Sequence, residues 1–204
     1  MNREDRIIFK VTTGLYNFLE RIKRSIDKAS RDLNFIRYKL VFGEREDDIY
    51  VITYPKSGTT LMQMMLYQLT TDGNMDFHHI YEVAPWIKND AFKHIKPREL
   101  KSPRIIKSHD EIKDFDKAVK GRFIFVHRNG MDVAVSQYHQ LKNYNEPDLK
   151  FDEFLDTFFN LKRYNYFTFT RDWKENREGL PVLYVSYESI LDDFDATLKE
   201  IADF

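Results

Sequence analysis

Two short stretches hold residue types whose spacing could do chemistry. The first is Tyr54-Pro55-Lys56-Ser57-Gly58-Thr59-Thr60, between the β-branched "VIT" and the helix formers "LMQMML". A strand-to-helix turn of this kind is an anion cradle. Glycine lets the backbone approach a ligand closely, the amides of Ser57 to Thr60 open on the helix mouth, and the helix dipole favours negative charge there. Lys56 adds a cation at the rim, and two threonine hydroxyls add donors. The order differs from the phosphate loop G-x-x-x-x-G-K-[ST], because no glycine opens it and no lysine follows Gly58. The second stretch is the end of "RFIFVHRNG", where His127 and Arg128 stand at the tip of an apolar run. A phosphate-loop nucleotidase holds its Mg²⁺ partly with an Asp at such a tip. A cation there instead points to a phosphate bound without a metal.

The elements that must position these residues alternate along the chain. "DIYVIT", "RIIKSH", "RFIFVH" and "PVLYVSY" read as strands, the third so apolar that it suits a strand buried on both faces. Residues 59–70 and 131–142, "FDEFLDTFFN", the segment from there through Trp173, and "ILDDFDATLKEIADF" read as helices. That alternation predicts an α/β fold, a three-layer arrangement with a central parallel sheet flanked by helices. Residues 3–33 form a further amphipathic helix, with Ile8, Val11, Leu15, Phe18, Ile22 and Ala29 on one face, and Gly14 as a candidate break. The opposite face carries Lys10, Arg21, Arg24, Lys28 and Arg31. The pattern suits packing on the main fold, a membrane surface or a homodimer.

Composition bounds the rest. A chain of 204 residues with 42% hydrophobic and 15% aromatic residues suffices for one domain with a real core. A formal charge of −1 gives no global field toward nucleic acid or anionic lipid. The absence of cysteine excludes disulfides and fits a reducing compartment. No apolar run approaches the roughly 20 residues of a membrane span, and "MNREDRIIFK" is not a secretory signal, so a cytoplasmic protein is the default expectation.

"TYPKSGTT", "PRIIKSH" and "HRNGMDVAVSQYH" together resemble the three leading motifs of the cytosolic-type sulfotransferases, and "VLYVSYESILDDFDATLKEIADF" resembles the strand and helix that follow. The resemblance covers roughly residues 47–204. It implies a P-loop-like fold and transfer of a sulfuryl group from 3′-phosphoadenosine 5′-phosphosulfate (PAPS), leaving PAP, to a hydroxyl or amine of a small-molecule acceptor, with no metal. With the periodic N-terminal segment it gives a division into an N-terminal helical extension over 1–45 and, as the resemblance implies, a sulfotransferase domain over 46–204. It also implies roles. Lys56 touches the bridging oxygen and the sulfuryl group, while Ser57, Gly58, Thr59 and Thr60 form the 5′-phosphosulfate loop. Lys107 contacts the sulfuryl group and His109 is the base. Strand alternation puts those two on one side, and a neutral imidazole can take a proton near pH 7. Arg128 and Ser136 grip the 3′-phosphate, unless Arg128 is bound up in an ion pair with Asp132. Tyr187 contacts adenine, unless it simply packs.

Three departures accompany the resemblance. Leu61 stands where the family has a tryptophan, and Gly130 where a proline is usual. The family's C-terminal Arg-Lys-Gly-x-x-Gly-x-x-Lys stretch has no counterpart in these 204 residues, so the expectation is a chain lacking that part of the family fold. A non-catalytic PAP-binding protein of the same fold remains the alternative, with a nucleotide kinase behind it. The segment 81–92 is the candidate acceptor wall, with Trp86 and Phe92, joined by Tyr144 and Tyr166. These aromatics suit an apolar or aromatic alcohol as well as they suit a core.

Overall fold

A computed structural model describes residues 3–161 and 164–204. Two compact units are present. One comprises the described residues of Met1–Gly43 together with Lys88–Arg98, the other Glu44–Ile87 together with Glu99–Phe204.

The first unit is dominated by α1, Arg3–Phe42, a single helix of 40 residues. It is longer than the periodicity of 3–33 implied, and Gly14 does not break it. A Cβ at Gly14 would meet nothing within 4 Å, so the residue is an exposed helical position. One glycine there costs about 0.5–1 kcal/mol, too little to interrupt hydrogen bonding on both sides.

The second unit is built on four parallel strands: β1 (Ile49–Thr53), β2 (Ile105–Ser108), β3 (Arg122–His127) and β4 (Val182–Ser186), in the order β2-β1-β3-β4. Register aligns their C-terminal ends, pairing Ile52 with Ser108, Thr53 with Val126 and His127 with Ser186. In open α/β sheets the ligand crevice lies outside those ends.

Alternation sends two different residue sets to the two faces. Val51, Ile105, Ile124, Val126 and Val185 join an aliphatic core with Met62, Met65 and Leu66 of helix α2 (Thr59–Thr70). On the other face Tyr50 stacks on Phe123 at 4.9 Å, and Phe125 stacks on Trp173 at 5.8 Å. Such aromatic pairs add about 0.5–1.5 kcal/mol each beyond their buried area. The sheet is thus flanked by helices, as the α/β reading implied.

The remaining helices are α3 (Ile87–Phe92), α4 (Gly130–Tyr144), α5 (Phe151–Asn160), α6 (Tyr166–Glu175), α7 (Tyr187–Asp192) and α8 (Phe194–Asp203). The helical reading from 151 through Trp173 falls into two pieces, and its positions 162 and 163 lie outside the described residues. The helix expected after β4 is also two. Asp193 leaves helical geometry at φ −145°, and its side chain accepts from the Ala196 amide, capping α8. At the N-terminal edge of the sheet, Arg104 forks onto Asp48 with both contacts at 2.7 Å, and both side chains are fully buried.

Candidate active site

The turn after β1 explains why this sequence makes a cradle. Gly58 has φ +99° and caps α2. A Cβ on it would lie 2.6 Å from Tyr187 Cδ2, so conformation and contact both require glycine. Lys56 is left-handed too, at φ +72°, a strain of about 1–2 kcal/mol for a residue with a side chain. Arg128 Nη1 donates to the Lys56 carbonyl at 3.3 Å and braces the turn.

Two expectations about the loop need correction. The Ser57 amide does not open on the helix mouth, because it donates to the Tyr54 carbonyl at 3.1 Å and closes the turn. Its hydroxyl is buried without a hydrogen-bond partner among the described residues, and Ser57 does not line the cavity described below. The Thr59 hydroxyl turns inward, 2.6 Å from Thr53 Oγ1. The donors left at the mouth are the first amides of α2, beginning at Gly58, and the Thr60 hydroxyl.

His109, two residues past Lys107 on the same side of the β2 end, reaches Thr53 because the C-terminal tip of β2 lies against that of β1. The His109 Nδ1 is 2.7 Å from the Thr53 carbonyl oxygen. A carbonyl only accepts, so Nδ1 holds the hydrogen and Nε2 keeps the lone pair. Burial, and then the Lys107 charge, lower the His109 pKa to about 4, so the ring is neutral at pH 7. The Tyr164 hydroxyl donates to the His109 carbonyl at 2.6 Å, and the Trp86 ring meets the imidazole edge-on at 5.1 Å. Lys107 donates to the Tyr81 hydroxyl, with its Nζ 4.5 Å from the Trp86 ring centroid. Burial, and then Lys56, lower its pKa to about 8, which leaves it mostly cationic at pH 7.

Arg128 follows β3. Its guanidinium lies 4.5 Å from the Tyr187 ring centroid. The ion pair with Asp132 is a loose contact at 4.0 Å to a carboxylate that is 58% exposed, so Asp132 does not hold Arg128. Tyr187 does pack, against Gly58, yet it also lines the cavity. Gly130 stands where it does for a local reason: a Cβ there would lie 2.9 Å from Tyr166 Cε1.

Lys56, Gly58, Thr59, Thr60, Lys107, His109, Arg128, Ser136 and Tyr187 all line one cavity of about 570 Å³, together with Leu61, Tyr81, Trp86 and Gln140. Among the described residues three cations and no carboxylate face it, a donor set that fits a ligand bearing more than one anionic group. Other candidate walls fall elsewhere. Tyr166 is buried, its hydroxyl donating to the Arg128 carbonyl, and Tyr144 is 83% exposed beside a neighbouring hollow. Phe92 belongs to the other unit. Sequence reasoning did not single out Thr53, which holds His109, and it placed Tyr81 only within the 81–92 wall, whereas the structure sets it on Lys107. The available signal was a polar residue ending an apolar strand, and a tyrosine on a short turn whose cap, His79, accepts from the Tyr81 amide at 3.1 Å.

Comparison with known proteins comes to the same place. Residues 46–204 match the family model described as the sulfotransferase domain. Human sulfotransferase 2B1 is 32% identical over 172 residues, covering 78% of this chain and 46% of that protein. The chain thus spans about half the length of that relative. Among solved structures, mouse sulfotransferase SULT7A1 complexed with PAP is 25% identical at a TM-score of 0.63, covering 83% of this chain and 62% of that one. Retinol dehydratase in complex with androsterone and inactive cofactor PAP shares the fold, with 18% identity and a TM-score of 0.62 over 79% of this chain and 60% of that one. By fold, by motif and by these matches, the chain belongs to the sulfotransferase family.

Proposed function

We propose that the domain over 46–204 moves a sulfuryl group from PAPS to a hydroxyl or amine of a small-molecule acceptor. The observation that carries this reading is His109: buried, neutral and held through Nδ1, with Nε2 free to take a proton in a cavity it shares with Lys107 and Lys56. When bound, PAPS supplies a sulfuryl group activated by its bond to phosphate. Lys56 and the first amides of α2 hold the 5′ end, with Gly58 admitting the backbone close to it. Arg128 and Ser136 hold the 3′-phosphate, and Tyr187 and Leu61 border the adenine. His109 Nε2 takes the acceptor's proton as the new sulfur–oxygen or sulfur–nitrogen bond forms. Lys56 and Lys107 oppose the negative charge that grows on the departing phosphate, a contribution largest in the transition state. Tyr81 and Trp86 beside His109 suit an apolar or aromatic alcohol, in keeping with the androsterone held by one protein of this fold.

The test is a product assay with PAPS and a panel of phenols and steroid alcohols, alongside calorimetry with PAP. Sulfated product and PAP binding of similar strength in EDTA and in Mg²⁺ are expected. PAP binding without turnover on any acceptor would favour a non-catalytic binding protein. A large gain from Mg²⁺, with ATP preferred over PAP, would overturn the reading in favour of a kinase.

A further inference from the structure

Helix α1 contributes nothing to the cavity lining, and its surface has two faces. One face is used within its own unit. Asn34 donates to the Ala91 carbonyl, Lys88 Nζ lies 5.8 Å from the Phe35 ring centroid, and Tyr38 is buried. At about 100° per residue these positions share one side of the helix. The apolar stripe lies about half a turn away. It begins at Ile8, Val11 and Leu15 and continues through Ile26, Leu33 and Leu40, all between 57% and 78% exposed. From Ile8 to Leu40 it runs about 50 Å at 1.5 Å per residue. An apolar patch of that length marks an interaction surface.

Charge selects the partner. The helix holds ten Lys and Arg against five Asp and Glu, a surplus of five in a chain whose net charge is −1. At the same rotation of about 100° per residue, Lys23 and Arg37 border the stripe on one side with Asp5. Arg21 stands about a third of a turn away on the other side, with Asp32 nearer. Lys10 and Lys28 lie just beyond it toward the opposite face, and Glu4 falls on the stripe. A second copy laid antiparallel would set the Lys23 side against itself. Laid parallel, it would set the Lys23 side against the Arg21 side. Either arrangement brings like charges together. An anionic lipid surface accepts both features. The stripe enters the boundary of headgroups and acyl chains, and the long basic side chains reach the charged headgroups. No helix among the described residues is long and apolar enough to cross a membrane, so α1 would lie on the surface.

We propose that α1 is an interfacial anchor that lays this chain on an anionic membrane surface, independently of the chemistry of the cavity. The test is co-sedimentation of the full chain with phosphatidylcholine vesicles, with and without phosphatidylserine. Binding should require phosphatidylserine and fall as salt is raised. Arg21→Gln with Lys28→Gln should weaken it about 25-fold, since each basic side chain near such a surface contributes about fivefold. Leu15→Gln with Ile26→Gln should also weaken it. Both pairs should keep the wild-type unfolding temperature, because the replaced side chains are exposed. No vesicle binding, equal binding to both vesicle types, or binding unchanged in the Arg21/Lys28 pair would overturn the proposal. So would a lipid-free dimer in analytical ultracentrifugation that Leu15→Gln with Ile26→Gln abolishes, which would assign the stripe to a second copy.

Discussion

The cavity and the long helix use lysine, arginine and apolar side chains to opposite ends. In the cavity Lys107 and His109 are buried against the sheet, their polar atoms tied to Tyr81 and Thr53, and burial is the largest cause of both displaced pKa values. On α1, Lys10, Arg21 and Lys28 stand in solvent on a helix whose apolar stripe is exposed as well. The difference teaches that residue type sets what a side chain could do, and surroundings decide whether that becomes chemistry. A buried cation is tuned by desolvation and by its neighbours. An exposed one adds to a field that salt screens.

The largest expected effects should therefore belong to the cavity and leave the helix untouched. His109→Ala should slow turnover about 10²–10⁴-fold, the usual loss for a positioned base. PAP affinity should stay nearly unchanged in calorimetry, since His109 is assigned to the acceptor side. Wild-type turnover on an unactivated alcohol would move the base elsewhere.

Removing one member of the buried ion pair comes next. Asp48→Ala removes the buried carboxylate that Arg104 forks onto, and should destabilise the fold by about 3–5 kcal/mol in urea unfolding, the usual loss when one partner of a buried ion pair is removed. An effect near zero would mean that water reaches Arg104. Exposed pairs such as Lys150 with Glu153, at 3.8 Å, should change stability by under about 1 kcal/mol.

The pH response follows from the two displaced groups. Below its ordinary pKa of 6.5, the unfolded His109 takes a proton that the folded ring refuses until about pH 4. The unfolded state thus binds more protons in that window, and stability should fall by about 3 kcal/mol as pH drops from about 6.5 to about 4. His109→Gln should flatten that slope. Turnover should decline above about pH 8 as Lys107 loses its charge, and Lys107→Arg should extend the plateau upward. An unchanged alkaline limb would place that ionisation on another group.

Arg128→Ala should cost PAP about 10- to 150-fold, the range for a charged hydrogen-bonded contact with phosphate, and should barely alter 5′-AMP. Equal losses for both ligands would show that Arg128 serves the turn through the Lys56 carbonyl, not the 3′-phosphate. The smallest effect is assigned to the helix: Gly14→Ala should add about 0.5–1 kcal/mol to local helix stability in hydrogen exchange and leave turnover alone. A change in turnover would couple the helix to the cavity.

Much of the fold was legible because its signals are local. A strand buried on both faces reads as a continuous apolar run, and Arg122–His127 is one. Helix α2 begins beside Gly58 and ends at Thr70, within the limits that its turn and periodicity suggested. Residue types alone marked Lys56, Gly58 and Arg128 as an anion site, since turn conformation and cation placement depend on nearest neighbours. The split at Asp193 was hidden because the residue's capping role competes with helix continuation, and only the observed φ decides between them.

What only the tertiary structure decided is the pairing of distant groups. His109 meets Thr53 because β2 lies beside β1 in one register, and a slip of β2 by one residue would turn Lys107 and His109 to the other face. The tautomer of His109, the Lys107 side chain held by Tyr81, the Ser57 amide spent inside its own turn and the Thr59 hydroxyl turned inward all depend on such pairings. The sequence by itself determined which residues could bind an anion, through types and short-range spacing. Burial and register, which sum contacts over the whole sheet, determined which of them face one cavity and with what charge.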